Sequence, residues 1–338
     1  MKDLAKITGL SLATISRVFN GSDLVTDKTR ALVLEAANSL NYRPNKMAAA
    51  LRSGKSKTIG VVVPVISRDV FVVAIKSIEE VLRKAGYNII ICQSHESYEK
   101  EKDILENLKQ LRVDGVIISL SNETSKIGHL RDLMDSEIPM VLFDRKIEMG
   151  EFNSIVIDNY NGAYQATSHL IEQGCQKIIH LAGKDTVSIF SERRSGFEAA
   201  LHQHGLPILP HSSIPFNDDD PNDIEILRSL LRSDDRPDAI FANGDIAALV
   251  ALNLLTELEI KVPKEVAVIG FGNNLFCSYL QPSLSSVSQS SEEVGRMAAE
   301  LLLRQLQHPN AGVEAEQKVL PIELIIRQSS SRNGKPEK

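Results

Sequence analysis

Leu12, Ala13, Ser16, Arg17 and Asn20 are the residues of this 338-residue chain whose types and spacing say most about chemistry. They line one side of the run Ser11-Leu12-Ala13-Thr14-Ile15-Ser16-Arg17-Val18-Phe19-Asn20-Gly21 at helical pitch, while Ile15, Val18 and Phe19 line the other. The outer side is small, hydroxylated and headed by a single guanidinium. Such a face can enter the major groove of DNA, where Arg forks onto a guanine edge and apolar groups meet thymine methyls. An ordinary helical hairpin would also have one apolar and one polar side. A second set of polar residues lies downstream. Asp144, Asp158-Asn159, Asp245 and Asn273 each follow a strand-like run, and Arg193 is expected to open the helix after Lys177–Leu181. Carboxylate, amide and guanidinium groups converging on a cleft suit a polyhydroxylated ligand, because each hydroxyl needs a donor or an acceptor. Asp and Asn also favour helix caps and turns, so each residue alone has a structural explanation as well.

The elements that must hold the first set are short. Thr8-Gly9-Leu10-Ser11 is a polar turn between two helical patterns, and Val25-Thr26-Asp27 marks the start of a third. In that third pattern Thr29, Val33, Ala36, Ala37 and Leu40 share a stripe. Charge follows the same division. Residues 1–58 hold ten Lys/Arg against four Asp/Glu, a net of +6, whereas the whole chain is −6. A basic head on an acidic body is the asymmetry expected when only the head meets phosphate.

Asn41-Tyr42-Arg43-Pro44 ends the third pattern, since Pro and the residue before it disfavour helix. The octet from Asn45 to Arg52 has high helix propensity but is shorter than the ~12–15 residues at which an isolated helix holds in water. It could fold against a twin copy on DNA, with Leu51 as a wedge into a minor-groove step, or serve as a plain linker. The boundaries expected are therefore a DNA-binding head over 1–44, a hinge helix and linker over 45–57, and a body over 58–330.

From Thr58 the pattern becomes β-α alternation. Strand-like runs are Thr58–Val63, Asn88–Cys92, Gly115–Ser119, Met140–Phe143, Ser154–Ile157, Lys177–Leu181, Ala239–Ala242 and Val266–Gly270. Helical segments lie between most of them, among them Tyr164–Gln173, Ser195–His204, Ile224–Leu231, Ala247–Leu258 and Val294–Leu306. Repeated β-α units imply an α/β fold of doubly wound parallel sheets, and about ten strands suggest two lobes with a ligand cleft between them.

Composition and missing motifs exclude other classes. Hydrophobic content of 43% and charged content of 24% are those of a globular protein. Cys92, Cys175 and Cys277 are scattered and odd in number, which reads as buried thiols in a reducing compartment. No run approaches a membrane span, and Met-Lys-Asp leads straight into a helix pattern without a signal peptide, so a cytoplasmic protein with no membrane association is expected. No G-x-G-x-x-G follows Ile59-Gly60-Val61, Gly270-Phe271-Gly272 lacks the third glycine, and no G-x-S-x-G elbow occurs. Gly54-Lys55-Ser56 is not a phosphate loop, because Ala49 stands where the first glycine is needed. His202, His204 and His211 read as surface histidines and Asp218-Asp219-Asp220 as a solvated helix entry. No enzymatic activity, metal or cofactor is expected.

Lys2-Asp3-Leu4-Ala5-Lys6, Ser11-x-x-Thr14-Ile15-Ser16-Arg17-Val18-x-Asn20-Gly21, Asn41-Tyr42-x-Pro44-Asn45 and Leu51-Arg52-Ser53-Gly54-Lys55-Ser56 resemble the head of the lactose/galactose-repressor (LacI-type) regulators. Val113-Asp114-Gly115, His169-Leu170-Ile171, Arg193-x-x-Gly196-Phe197 and Glu323-Leu324-Ile325-Ile326-Arg327 extend the likeness to nearly the whole chain. The resemblance implies a repressor-type regulator with a two-lobed, periplasmic-binding-protein-like body. It implies a homodimer on a near-palindromic double-stranded operator, controlled by a small, sugar-like effector. Leu12, Ala13 and Arg17 correspond to the major-groove readers, accompanied by Thr14, Ser16, Asn20 and Asn45, and Leu51 to the minor-groove leucine. Phe71, Asp144, Arg193, Phe216, Asp245 and Asn273 lie at or near the effector contacts. The chain departs from the family at Arg68-Asp69-Val70-Phe71, where an Asn-Pro-Phe-Phe-like run is usual. It departs again at Gly272, where an Asp is usual, and at Gly244, which separates Asn243 from Asp245. Val187 and Ile189 replace polar contacts of the purine-responsive member, which argues against a purine corepressor. The contending class is a soluble sugar-binding protein with the same body, which predicts a signal peptide and no basic head.

Overall fold

Caps and apolar spacing account for the three helices that open the chain. The structure is a computed structural model and describes residues 1–19, 22–42, 55–145, 147, 150–183, 188–209, 211–308 and 315–332. It places α1 over Lys2–Thr8, α2 over Leu12–Phe19 and α3 over Asp27–Ser39. Gly9 ends α1 at φ +68°, a left-handed turn that strains any side chain. Ser11 Oγ accepts the Thr14 N–H at 3.2 Å to open α2, and Thr26 Oγ1 accepts the Thr29 N–H at 3.3 Å to open α3. Leu4, Ile15, Val18, Val33, Ala36 and Ala37 form the small core, with Phe19 tilted against Tyr42 beside it. Leu40 is not on the buried stripe. The helix stops at Ser39, and Leu40 turns outward as its cap. Asn20, Asn45, Leu51 and the expected hinge helix lie outside the described residues.

The chain divides into two units, Met1–Lys57 and Thr58–Lys338. The second holds two six-stranded sheets. One comprises β1 (Thr58–Val63), β2 (Asn88–Gln93), β3 (Gly115–Ile118), β4 (Met140–Phe143), β5 (Asn153–Ile157) and β11 (Gln317–Leu320). Its order is β11-β5-β4-β3-β1-β2, parallel throughout, with Val61 opposite Ile91 on one side and Ile117 on the other. The other comprises β6 (Ile178–Ala182), β7 (Ser213–Pro215), β8 (Ala239–Ala242), β9 (Ala267–Gly272), β10 (Ser285–Ser288) and β12 (Glu323–Ile325). Its order is β12-β10-β9-β8-β6-β7, and only β12 runs antiparallel.

Helices α4 (Asp69–Lys84), α5 (Tyr98–Gln110), α6 (Gly128–Met134) and α11 (Ser291–Gln307) serve the first sheet. Helices α7 (Asn159–Glu172), α8 (Ser188–Gln203), α9 (Pro221–Arg232) and α10 (Asp245–Glu257) serve the second. Both faces of each sheet are thereby covered, which is why β1 is continuously apolar. Ile59, Val61 and Val63 join one cluster while Val62 joins another with Leu108 and Ile118. The helix pairs pack closely. A Cβ on Gly196 would stand 2.1 Å from Tyr160 O, and one on Gly295 would stand 2.4 Å from Ala74 O. The chain passes between the sheets after β5, after β10 and between β11 and β12, so the two lobes are joined by three strands of chain.

Twelve strands are described where the sequence suggests about ten. The additional β10 reads Ser285-Ser286-Val287-Ser288, too polar to stand out. Its buried hydroxyls are satisfied by specific partners: Ser286 donates to Asp245, and Ser285 donates to the Arg327 carbonyl. Two helices also begin earlier than their apolar spacing indicates. Asp158 caps α7 through the Asn161 N–H at 2.9 Å, and α8 starts at Ser188, which puts Arg193 in its second turn instead of at its opening.

Candidate functional site

Two surfaces carry the residues singled out by sequence. On α2, Ile15 and Val18 are buried, while Leu12 (47% exposed), Ala13 and Arg17 face outward. Ser16 and Thr14 are half-buried, and the Thr14 hydroxyl pairs with Ser11 at 3.0 Å, so its side chain serves the cap. α2 therefore offers an apolar pair and one guanidinium over a single turn and a half of helix.

The other surface is a cavity of about 630 Å³ between the lobes of the second unit. Strand ends build it, as the rule for parallel sheets requires: Asp144 follows β4, Asn243 follows β8, Gly272 ends β9 and Gln289 follows β10. Phe71, Asp144, Arg193, Phe216 and Asp245 all line it. Asn273 does not. Its Oδ1 accepts a hydrogen bond from Arg327 at 2.8 Å, and Asn274 takes the place on the wall. Asp158 and Asn159 are likewise structural, one as the α7 cap and the other as a buried acceptor for Arg193.

Arg193 ties the second lobe together beneath the cavity. Its Nε donates to Asn159 Oδ1 at 2.9 Å, its Nη1 donates to Asn243 O at 2.7 Å, and its guanidinium lies 3.6 Å above the Phe271 ring. Burial depresses its pKa to about 10, with the Asp144 charge opposing, so it stays cationic at neutral pH. Asp245 starts α10 and reaches across to β10. Its Oδ1 accepts from the Ser286 hydroxyl at 2.6 Å and its Oδ2 from the Asn274 N–H at 2.7 Å. Burial raises its pKa against those hydrogen bonds. Only glycine fits at position 270 under this carboxylate, since a Cβ there would be 2.2 Å from Oδ1.

Asp144 differs from Asp245 in having weak partners. It sits at φ +65°, with its side chain 10% exposed. Ser119 donates to it at a long 3.4 Å, and Arg145 Nε lies 3.7 Å away. Burial pushes its pKa up, and the Arg145 and Arg193 charges only partly offset this. Phe71, 3% exposed, stands edge-on to Phe143 behind it at 6.1 Å.

Several further residues line or back the cleft without a local sequence signal that singles them out. Arg145 binds Glu96 through both nitrogens, at 2.8 and 3.0 Å, and Glu96 also accepts the Asn122 N–H. Glu96 follows the end of β2, as Asp144 follows that of β4. Behind them lies the fully buried Glu101. Burial works to raise its pKa, but hydrogen bonds from His129, Ser121 and Thr124 outweigh it and leave the carboxyl below its ordinary value. Arg68 and Asp218 approach to 3.4 Å, linking the segment before α4 to the loop after β7 across the cavity mouth. Asp218 is thus a cleft residue with a side chain only 10% exposed, and Asp220 alone acts as the helix entry, capping α9.

Residues 1–45 match the family described as bacterial regulatory proteins, lacI family, and residues 167–330 match a periplasmic binding protein-like domain. The chain is 33% identical over 331 residues to the HTH-type transcriptional regulator RegA of Clostridium saccharobutylicum, covering 98% of each. It is 34% identical over 332 residues to the HTH-type transcriptional repressor PurR of Haemophilus influenzae (strain PittEE), covering 97% of this chain and 98% of that one. A solved transcriptional regulator CelR–cellobiose complex is similar at 27% identity and a TM-score of 0.71, over 97% of this chain and 98% of that one. Among the described residues no helix is long and apolar enough to cross a membrane.

Proposed function

This chain belongs to the lacI family of bacterial regulatory proteins, and from that premise we propose how its residues divide the work. It is a DNA-binding transcriptional regulator of the repressor type and not an enzyme. In our reading Arg17 bonds a guanine edge while Leu12 and Ala13 contact thymine methyls, with Ser16, Asn20 and the capped Thr14 supporting the helix on its site. Asn45 and Leu51 belong to the connecting segment over 45–57, and Leu51 enters a minor-groove step. The body, 58–330, binds a sugar-like effector between its lobes. Phe71, Asp144, Arg193, Phe216 and Asp245 form the wall, while Asn273, held by Arg327, is set back from it. The regulator works as a cytoplasmic homodimer on a near-palindromic operator, since two copies of one reading helix match two half-sites one DNA turn apart.

The observation that carries this reading is the exposure of Leu12, Ala13 and Arg17 on a helix whose other side is the head's core. Control follows from linkage: an effector that favours one degree of lobe closure shifts the population that holds the two heads at operator spacing. The test is selection of bound sequences from random duplex DNA by the full chain, with and without a panel of sugars. A two-fold-symmetric consensus whose recovery changes with one sugar is expected. Recovery of unrelated sequences in every condition would refute the reading.

A further inference from the structure

Three crossings of the chain join the two lobes of the body, and one ion pair also spans them. Between described residues, every other ion pair stays within a single lobe. Arg68, the residue before α4 in the first lobe, donates from Nη1 to Oδ2 of Asp218 at 3.4 Å. Asp218 lies in the second lobe, in the loop between β7 and α9. The two partners are unequally placed, since the Arg68 side chain is 50% exposed and that of Asp218 only 10%. The loop under Asp218 is braced by its neighbours. The Asn217 N–H donates to Asp223 at 2.8 Å, the Asp219 N–H donates to Asn217 at 3.3 Å, and Asp220 accepts the Asn222 N–H. A carboxylate so nearly out of water is costly to leave without a counter-charge. Neither partner has a second duty at a helix end. Arg68 gives α4 no side-chain cap, and Asp220, not Asp218, caps α9. A couple of the opposite sense backs the pair. Asp144 of the first lobe and Arg193 of the second each feel the other's charge. Each lobe thus offers the other one cation and one anion, and both attractions favour approach.

We propose that Arg68 and Asp218 form a latch across the cleft mouth, made of the chain's own residues, that holds the lobes together before any effector arrives. Without Arg68, the Asp218 carboxylate regains its hydration only if the lobes part. Salt weakens the latch, because the guanidinium side of the pair is half in water. An effector therefore acts on lobes already biased towards closure, and its differential affinity must work with or against that bias. The bearing on operator affinity rests on the reading of lobe closure as what positions the two heads. Arg68 stands in the run Arg68-Asp69-Val70-Phe71, which departs from the family pattern.

Pulsed electron resonance tests it, with nitroxide labels carried on non-natural amino acids at the exposed positions Lys102 of α5 and Ser229 of α9. Labelled full-length chains are diluted into unlabelled ones, so that the distance read is the one between lobes of a single chain. Arg68→Gln is expected to lower the ratio of closed to open lobes ~3- to 10-fold. Raising salt from about 0.1 M to about 1 M should move the wild type the same way and leave Arg68→Gln nearly unmoved. Asp218→Asn should open the lobes less, since the Arg68 left behind already reaches water. Added to Arg68→Gln, it should close them again in part, because no buried charge is then left alone. Distances identical in wild type, in Arg68→Gln and at high salt overturn the latch. A double variant more open than either single variant overturns it as well. Operator affinity is measured on the same variants. Lobes that open in Arg68→Gln while operator affinity stays fixed uphold the latch and remove the reading that lobe closure positions the heads.

Discussion

Replacing Gly270 with alanine isolates the joint that places Asp245 in the cleft. The added methyl would lie 2.2 Å from Asp245 Oδ1 and 3.2 Å from its Cα and Cγ. Relief by moving the carboxylate breaks the 2.6 Å bond from Ser286 and strains the 2.7 Å bond from Asn274, both inside the protein. Hydrogen bonds to a charged group contribute about 1.5–3 kcal/mol each, and forcing a methyl into a packed site costs about 1–3 kcal/mol. The expected loss for Gly270→Ala is therefore about 3–5 kcal/mol, read as a lower urea midpoint at unchanged slope. Removing the obstructed group should recover part of it. Gly270→Ala combined with Asp245→Ala is expected to be less destabilised than the sum of the two single changes by about 1 kcal/mol or more. A single-variant loss below about 1 kcal/mol, or strict additivity in the pair, would refute the claim that glycine is required because the carboxylate lies over it.

Arg17→Ala should lose about 1–3 kcal/mol of operator affinity and relax preference at one base position, measured by competition against single-position operator variants; an equal loss on every sequence would mark Arg17 as a phosphate contact. Thr26→Ala removes the α3 cap and should cost the head about 1 kcal/mol, seen as an earlier melt of the isolated helical signal with the body's transition unmoved. His180, packed between Phe197 and Phe241, is driven by burial to a pKa of about 3 from 6.5. Below pH 6.5 the unfolded chain takes up a proton that the folded site refuses, so stability falls by up to about 1.4 kcal/mol per pH unit until pH 3. His180→Phe should flatten that part of the acid limb, and an acid limb parallel to wild type would contradict the assignment.

The head and the core strands are legible in the sequence because local rules decide them. Ser11 and Thr26 are hydroxyl caps before apolar periods, and β1 is an unbroken apolar run because both its faces are covered. The cleft is legible only in part. Asp144 and Asp245 follow strand ends, and the α/β rule places them at the cavity whatever their partners. Asn273 shares that position in the chain but is drawn away by Arg327, 54 residues on, which no local pattern shows. Arg68 and Asp218, 150 residues apart, meet only because the two sheets face each other. Strand β10 escapes notice because its serines are kept buried by Asp245 and the Arg327 carbonyl, partners that lie far away in sequence.

The central claim, that α2 reads a specific operator, is tested most directly by the ratio of the full chain's dissociation constants for its selected operator and for scrambled duplex of equal length, at one fixed salt concentration. A ratio of ~10³ or more in favour of the operator, collapsing in Arg17→Ala, is the predicted result. A ratio near one, unchanged by that substitution, would contradict it.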